Sequence, residues 1–145
     1  MAGYTKIDSF VENLAEKQID LSGAALTIAL TNTAHTATWD ELADLTEISY
    51  TNLSARVLTV STSAQTAGTY KLVLEDLTLT ASGAVGPFRY IYIYDDDSTG
   101  DKLIGYYDYG SAVTLASPDT FKLDFDGSAG ALTIAWVWEN IHYIN

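Results

Sequence analysis

Hydrophobic and polar side chains alternate most clearly between Gly86 and Gly110, and this stretch predicts two β-strands. The strands are Phe88–Tyr94 and Lys102–Tyr109, and an acidic turn joins them. One face of the first strand carries Phe88, Tyr90, Tyr92 and Tyr94, and the opposite face carries Arg89, Ile91 and Ile93. Because neither face is plainly polar, we expect one to be core and the other to be covered by a second layer or a partner subunit.

Further alternating or β-branched runs predict additional strands on both sides of this hairpin. They are Ala25–Thr31, Arg56–Ser63, Tyr70–Thr80, Ala112–Leu115, a strand through Phe121, Leu123 and Phe125, and a last strand through Leu132, Ile134, Trp136 and Trp138. Within Tyr70–Thr80 the alternation changes phase across Glu75 and Asp76. This change predicts a bulge or bend that redirects the chain between layers.

One helix is predicted, from Thr5 to about Lys17, because Ile7, Phe10, Val11 and Leu14 recur at helical spacing. Thr5 and Asp8 resemble the capping box that begins many helices. A helix this short needs a surface to dock on, either in this chain or on another subunit. The irregular stretch from Asn32 to Asn52 predicts a long excursion with a short helix or none, and such excursions are often functional or interfacial.

About eight regularly spaced strands and one N-terminal helix, without the rhythm of βαβ units, predict a mainly β protein. The expected fold is an antiparallel β-sandwich, a jelly roll or a barrel. No internal repeat or linker interrupts the sequence, so residues 1–145 are expected to form a single domain.

The formal net charge of −12, with only seven scattered lysine and arginine residues, argues against binding to nucleic acid or to an anionic membrane. This charge favours solubility or a basic partner surface. The sequence contains no cysteine, so disulfides and thiolate chemistry are excluded. The first residues lack the apolar segment of a signal peptide, and no run approaches the roughly 18 apolar residues of a membrane span. Synthesis in the cytoplasm is therefore expected.

The acidic turn Asp95–Asp101 is the candidate metal site. Asp95, Asp97 and Thr99 place oxygen atoms at alternate positions, and Gly100 follows at the sixth, as in the first half of a calcium-binding loop. The twelfth position, where such a loop has a bidentate carboxylate, is Tyr106. The sequence therefore favours a solvated hairpin turn over a metal site.

The sequence offers few candidates for catalytic residues. Asp108, Asp124 and Asp126 offer the carboxylates of a glycoside hydrolase, but the last two alternate outward from a strand and fit a solvent-facing row. His35 and His142 stand in no recognised triad or ligand spacing, and there is no nucleophile elbow or phosphate-binding loop. We expect no catalytic residue and no cofactor.

The aromatic residues are better candidates for contact, because they bury a large area at small entropic cost. They also stack on sugar rings, although contact with protein is favoured here, and an aromatic-rich core accounts for part of them. The candidate interface residues come from the helix, the excursion, the hairpin, the last strand and the tail. They are Ile7, Phe10, Val11, Leu14, Trp39, Tyr90, Tyr92, Tyr94, Trp136, Trp138 and Tyr143.

Five stretches of this sequence resemble a family of small structural proteins of tailed bacteriophages. They are TNTA (Thr31–Ala34), LADLTEISY (Leu42–Tyr50), GPFRYIYIYDD (Gly86–Asp96), LIGYYDYG (Leu103–Gly110) and DTFKLDFDG (Asp119–Gly127). The N-terminal helix followed by LTIALTNT is similar as well, and the resemblance runs from about Tyr4 to Ile134.

Members of that family are encoded near the major capsid protein. The resemblance therefore implies a virion protein that decorates the capsid surface, binds the major capsid protein and forms an oligomer, with a trimer favoured. The alternative is a component of the tail or of a fibre, with a receptor- or glycan-binding role.

Overall fold

The computed structural model describes residues 3–22 and 25–135 of the chain. Within these residues the strands are β1 (Tyr4–Lys6), β2 (Leu26–Thr31), β3 (Val60–Thr66), β4 (Thr69–Leu74), β5 (Leu77–Thr80), β6 (Val85–Asp95), β7 (Lys102–Leu115), β8 (Thr120–Leu123) and β9 (Leu132–Ala135). The helix α1 spans Phe10–Ala15, and a 3₁₀ turn spans Leu42–Asp44. The prediction of a mainly β fold with one short helix near the N-terminus is confirmed.

Three antiparallel sheets form the β-sandwich-like architecture of the described chain. The first sheet has the strand order β1-β7-β6-β2, the second β3-β4-β9, and the third β5-β8. The tyrosine-rich hairpin β6–β7 lies at the centre of the first sheet. Its strands are longer than predicted, and the expected separate strand at Ala112–Leu115 is the end of β7.

The phase change at Glu75 and Asp76 marks a change of sheet, as the sequence predicts. β4 ends at Leu74 in the second sheet, and β5 begins at Leu77 in the third. Asp76 lies at the break, where its carboxylate accepts a hydrogen bond from the backbone N–H of Phe125 at 3.0 Å. The break thus places the residues before Glu75 in the second sheet and the residues after Asp76 in the third.

The predicted start of the N-terminal helix is wrong. Thr5 belongs to β1, and the helix begins only at Phe10, after Ser9. β1 pairs with β7 in the register Tyr4↔Tyr107, and the Tyr4 ring covers Gly105, where an added Cβ would lie 2.3 Å from the ring. Pairing with a sheet outweighs a weak local helical pattern in this segment. Consequently the expected capping box of Thr5 and Asp8 does not form.

Both faces of β2 are buried, whereas the alternation of Leu26, Ile28 and Leu30 predicts one inward face. The chain after the 3₁₀ turn also lies along the outer edge of β2 and covers that edge. The Thr31 hydroxyl donates to the carbonyl of Thr46 at 2.6 Å, and the Leu58 N–H donates to the carbonyl of Leu26 at 2.8 Å. The predicted strand at Arg56–Ser63 accordingly begins only at Val60.

The excursion between Asn32 and Asn52 contains only the 3₁₀ turn as regular helix, which agrees with the expected short helix or none. Its residues contact the first sheet through two isolated bridges, Thr31↔Glu47 and Glu41↔Lys102. The excursion is therefore packed against the tyrosine hairpin, and it supplies the second layer that the sequence predicts over one face.

Candidate interaction surface

A partly apolar groove lies between the edge strands of the first and second sheets, and we call it the seam groove. One wall is formed by Tyr4, Lys6, Phe10 and Val11, and the other by residues 129–135. Its volume is about 540 Å³. Val11 is 54% exposed, and β1 and β9 each lie at the end of their sheet. The groove therefore joins an exposed apolar side chain to two strand edges, the backbone geometry that adds a further strand.

The position of α1 beside this groove is fixed by one carboxylate, Asp40. Its Oδ1 accepts hydrogen bonds from the Ser9 hydroxyl at 2.5 Å and from the Asn13 side chain at 2.6 Å. Its Oδ2 accepts a hydrogen bond from Lys102 Nζ at 2.5 Å, and Lys102 Nζ also lies 2.7 Å from Glu41 Oε1. These contacts tie the helix, the excursion and the hairpin together.

The same contacts set the charges of this network. Partial burial pushes the pKa of Asp40 upward, but the hydrogen bonds from Lys102, Ser9 and Asn13 outweigh it and hold the pKa below its usual value. The carboxylates of Asp40 and Glu41 raise the pKa of Lys102. Lys102 is buried, so a charged lysine is held inside the protein by two carboxylates. These hydrogen bonds and ion pairs therefore hold α1, which forms part of one wall of the seam groove, in its position.

Of the helical residues expected to make contacts, the structure leaves one on the surface. Ile7 and Phe10 are buried in the core, Leu14 is half-buried, and Val11 is exposed. Leu14 lines a second apolar hollow near Tyr70. The helix thus docks mainly within this chain, and Val11 is the position that remains for a partner.

The hairpin tyrosines Tyr90, Tyr92 and Tyr94 are buried within the chain, so they do not offer a surface to a partner. Phe88, expected on the same face, packs edge-on against Phe121 at 5.2 Å between ring centroids, and the strand register shifts on both sides of it. Burial raises the pKa of the Tyr92 hydroxyl. Three of the expected contact aromatics are thus core residues.

An aromatic cluster around His35 covers Tyr92. The Tyr92 hydroxyl lies 3.0 Å from His35 Nδ1, and the imidazole stacks on Tyr106 at 4.6 Å between ring centroids. Trp39, half-buried, meets the His35 ring edge-on at 5.7 Å. Sequence reasoning missed His35, since no spacing signal connects a histidine in an irregular excursion to a tyrosine 57 residues away.

His35 gives a pH-dependent prediction. Burial lowers the pKa of its imidazole, and the nearby Asp8 opposes this shift in part. The unfolded chain therefore binds this proton more readily than the folded protein. The free energy of unfolding should fall as the pH is lowered from about 7.5 to about 5.5, through the ordinary pKa of histidine. Urea titrations across this range measure it.

The matched control for this titration is His35→Gln, which keeps a polar side chain but does not titrate. Its unfolding free energy should decline less with falling pH than that of the wild type, because His142 and the carboxylates are common to both proteins. Equal pH slopes for the two proteins would contradict a lowered pKa of His35.

Hydrogen bonds to Asp95 hold the acidic turn. The Asp95 carboxylate accepts hydrogen bonds from the backbone N–H groups of Asp20 at 2.8 Å and Asp97 at 3.1 Å, and the Ser98 hydroxyl donates to the Asp95 carbonyl at 2.6 Å. Asp97 and Thr99 are exposed. Among residues 3–22 and 25–135, no three histidine, aspartate or glutamate side chains are grouped to hold a metal ion. Asp95 thus stabilises the turn.

Neighbouring groups stabilise the ionised forms of two of the three candidate hydrolytic carboxylates, Asp108 and Asp126. Arg89 binds both oxygens of Asp108, at 2.7 and 2.9 Å, and lowers its pKa. Hydrogen bonds from the backbone N–H groups of Ala129 and Ser128 lower the pKa of Asp126. Asp124 is exposed and lies 3.3 Å from Lys122 Nζ. A general acid needs a raised pKa near neutrality, so the lowered pKa values of Asp108 and Asp126 do not suit that role.

The remaining expected contact residues Trp136, Trp138 and Tyr143 lie outside the described residues. In the part of the chain that the structure describes, no helix is long and apolar enough to cross a membrane. No protein-family model matches this chain, and neither a curated protein nor a solved structure matches it.

Proposed function

We propose that this protein is a non-enzymatic structural component of a tailed-bacteriophage virion, most specifically a decoration (cement) protein of the capsid surface. It binds the major capsid protein, stabilises the shell and forms a homo-oligomer, with a trimer favoured. It engages neither nucleic acid nor a membrane. The sequence stretches that resemble the phage family support this proposal, together with the partly apolar seam groove, at whose wall Val11 is exposed.

The distribution of charge supports a protein partner with a basic surface. Five of the seven basic side chains make polar contacts within this chain: Arg56 donates to the carbonyl of Ile28, Lys71 donates to the carbonyl of Ser128, and Arg89, Lys102 and Lys122 pair with carboxylates. Few cations therefore offset the acidic surface. An acidic surface of this kind steers a protein toward basic patches, and added salt weakens the attraction.

Addition of the purified protein to capsids that lack it tests the proposal. Expanded heads should bind the protein to saturation, bind it less at high salt, and resist heat better once it is bound. Unexpanded heads and an unrelated acidic protein of similar net charge are the controls. Heads that neither bind the protein nor gain heat resistance would contradict the proposal.

The second candidate is a tail or fibre component that binds glycans. A cleft on the face of the hairpin away from Tyr92 favours it. Tyr109, which is 52% exposed, and the half-buried Phe121 line it, and Lys122 and Asp124 stand beside them. Aromatic rings beside hydrogen-bonding groups suit a sugar ring. Glycan binding by the wild type that is lost in Tyr109→Ala would favour this candidate, whereas buried Tyr92 is unsuited to such a test.

A further inference from the structure

The cleft beside Tyr109 lies between strands of two different sheets, and we call it the tyrosine cleft. β7 belongs to the first sheet and β8 to the third. Ile91, Tyr107 and Leu123 line the cleft and are buried, whereas Tyr109 lines it and is half-exposed. The cleft has a volume of about 230 Å³. This is smaller than the pocket of a drug-sized ligand, roughly 300–1,000 Å³, and suits a single long side chain.

Two aromatic rings border the tyrosine cleft. The ring centroids of Tyr109 and Phe121 lie 5.3 Å apart, and the two ring planes meet at 69°. Phe121 also packs edge-on against the buried ring of Phe88, which fixes its position before any ligand arrives. The face of an aromatic ring attracts a cation, because the ring carries partial negative charge above and below its plane. The lining of the cleft therefore favours a positively charged group that also has an apolar part.

The charged groups beside the cleft favour a cation as well, because one ammonium group faces two carboxylates. Lys122 Nζ lies 2.7 Å from Asp76 Oδ2 and 3.3 Å from Asp124 Oδ1. Asp76 uses its other oxygen to accept the hydrogen bond from the Phe125 N–H. The side chain of Asp124 is 72% exposed, so this carboxylate is the one that a further cation reaches. These three side chains carry one excess negative charge, in a protein whose formal net charge is −12.

We propose that the tyrosine cleft receives an arginine side chain of the basic partner protein. The planar guanidinium stacks on the ring of Tyr109 and donates two hydrogen bonds to the carboxylate of Asp124, while the aliphatic stem lies against the apolar lining. A lysine ammonium has no flat face to stack, and a neutral sugar gains nothing from the excess negative charge. This inference rests on the basic partner surface of the proposed function, and it names the side chain that this surface contributes.

Titration with N-acetyl-arginine amide, followed by NMR of the backbone amides, tests this inference without a capsid. The arginine probe should shift the signals of the cleft residues and reach saturation. N-acetyl-citrulline amide has nearly the same shape without the charge, and it should bind about tenfold more weakly. The reason is that the cation–π contact and the ion pair are each worth about threefold in affinity at an exposed site.

Substitutions at exposed positions locate the binding site. Tyr109→Leu keeps an apolar side chain and removes the ring, and Asp124→Asn removes the charge, so each should weaken binding of the arginine probe about threefold. Tyr109→Phe keeps the ring and should bind as the wild type does. Asp97→Asn is the matched control for Asp124→Asn, because Asp97 is an exposed carboxylate outside the cleft, and it should leave the affinity unchanged. Well-dispersed amide spectra check that each variant is folded.

Equal affinities for the arginine and citrulline probes would overturn the inference. Equal losses from Asp97→Asn and Asp124→Asn would also overturn it, because they would show only diffuse attraction to an acidic protein. Binding of a methyl glucoside in the cleft, without binding of the arginine probe, would overturn it and favour the glycan-binding candidate. Arginine binding in a protein that does not bind heads counts against the proposed function alone. Head binding that Tyr109→Leu and Asp124→Asn leave unchanged counts against the inference alone.

Discussion

Replacing Tyr92 with alanine is expected to lower the free energy of unfolding by about 3–5 kcal/mol, the cost of removing a large buried aromatic side chain. Tyr92 is 0% exposed, and its ring lies among His35, Trp39 and Tyr106. The substitution leaves a cavity between the hairpin and the excursion that covers it. Urea unfolding followed by tryptophan fluorescence and circular dichroism measures the loss.

Two further substitutions separate packing from polarity at this site. Tyr92→Phe keeps the ring and removes only the hydroxyl that meets His35, so a loss of about 1 kcal/mol is expected. Tyr109→Ala removes a half-exposed tyrosine of β7, so the free energy of unfolding is expected to fall by about 1 kcal/mol or less. If Tyr92→Ala were as stable as Tyr109→Ala, the assignment of the tyrosine face to the core would be wrong.

The second large effect is expected from Lys102→Met, which keeps the apolar stem and removes the ammonium group. Loss of one partner from a buried ion pair costs about 3–5 kcal/mol. The side chains of Asp40 and Glu41 are 32% and 41% exposed, so water screens part of that cost and about 2 kcal/mol is expected. The same urea titration measures this loss.

Lys122→Met is the matched control, because Lys122 also lies between two carboxylates, those of Asp76 and Asp124. Its side chain is 53% exposed, compared with 11% for Lys102, so little or no change in stability is expected. Equal losses in the two variants would show that burial of Lys102 is not what makes its ion pairs important.

The effect of Lys102→Met should also depend on pH. The pKa of Asp40 in the folded protein is below its usual value, so the ionised carboxylate stabilises the fold above about pH 4, the ordinary aspartate range. This stabilisation is lost as the pH falls through the folded-state pKa. The difference between wild type and Lys102→Met should therefore shrink in acid.

Side-chain alternation predicts the strands of this protein well because it reflects local geometry. The hairpin and the break at Glu75 and Asp76 both follow from residues close together in the sequence. The N-terminal segment shows the limit of this reasoning. Thr5 and Lys6 fall within the predicted helix, but Tyr4–Lys6 pairs with β7, about 100 residues later, and only that long-range contact decides its conformation.

The candidate site was less accessible from the sequence for the same reason. Aromatic composition marks Tyr90, Tyr92 and Tyr94 as contact residues, yet burial depends on whether another segment covers them. The excursion does so through His35 and Trp39, whose partners lie more than 50 residues away. The seam groove likewise arises where β1 and β9 approach, so no single stretch of the sequence signals it. Val11 was recognisable as apolar, but its exposure depends on tertiary packing.

Electron microscopy of the proposed phage particle tests the central claim most directly, because it would locate this protein on the virion. We predict density for the acidic β fold on the outer face of the head, in contact with neighbouring capsid subunits and repeated with the symmetry of the shell. Density confined to the tail or its fibres, or a head without any density for this protein, would contradict the assignment as a capsid decoration protein.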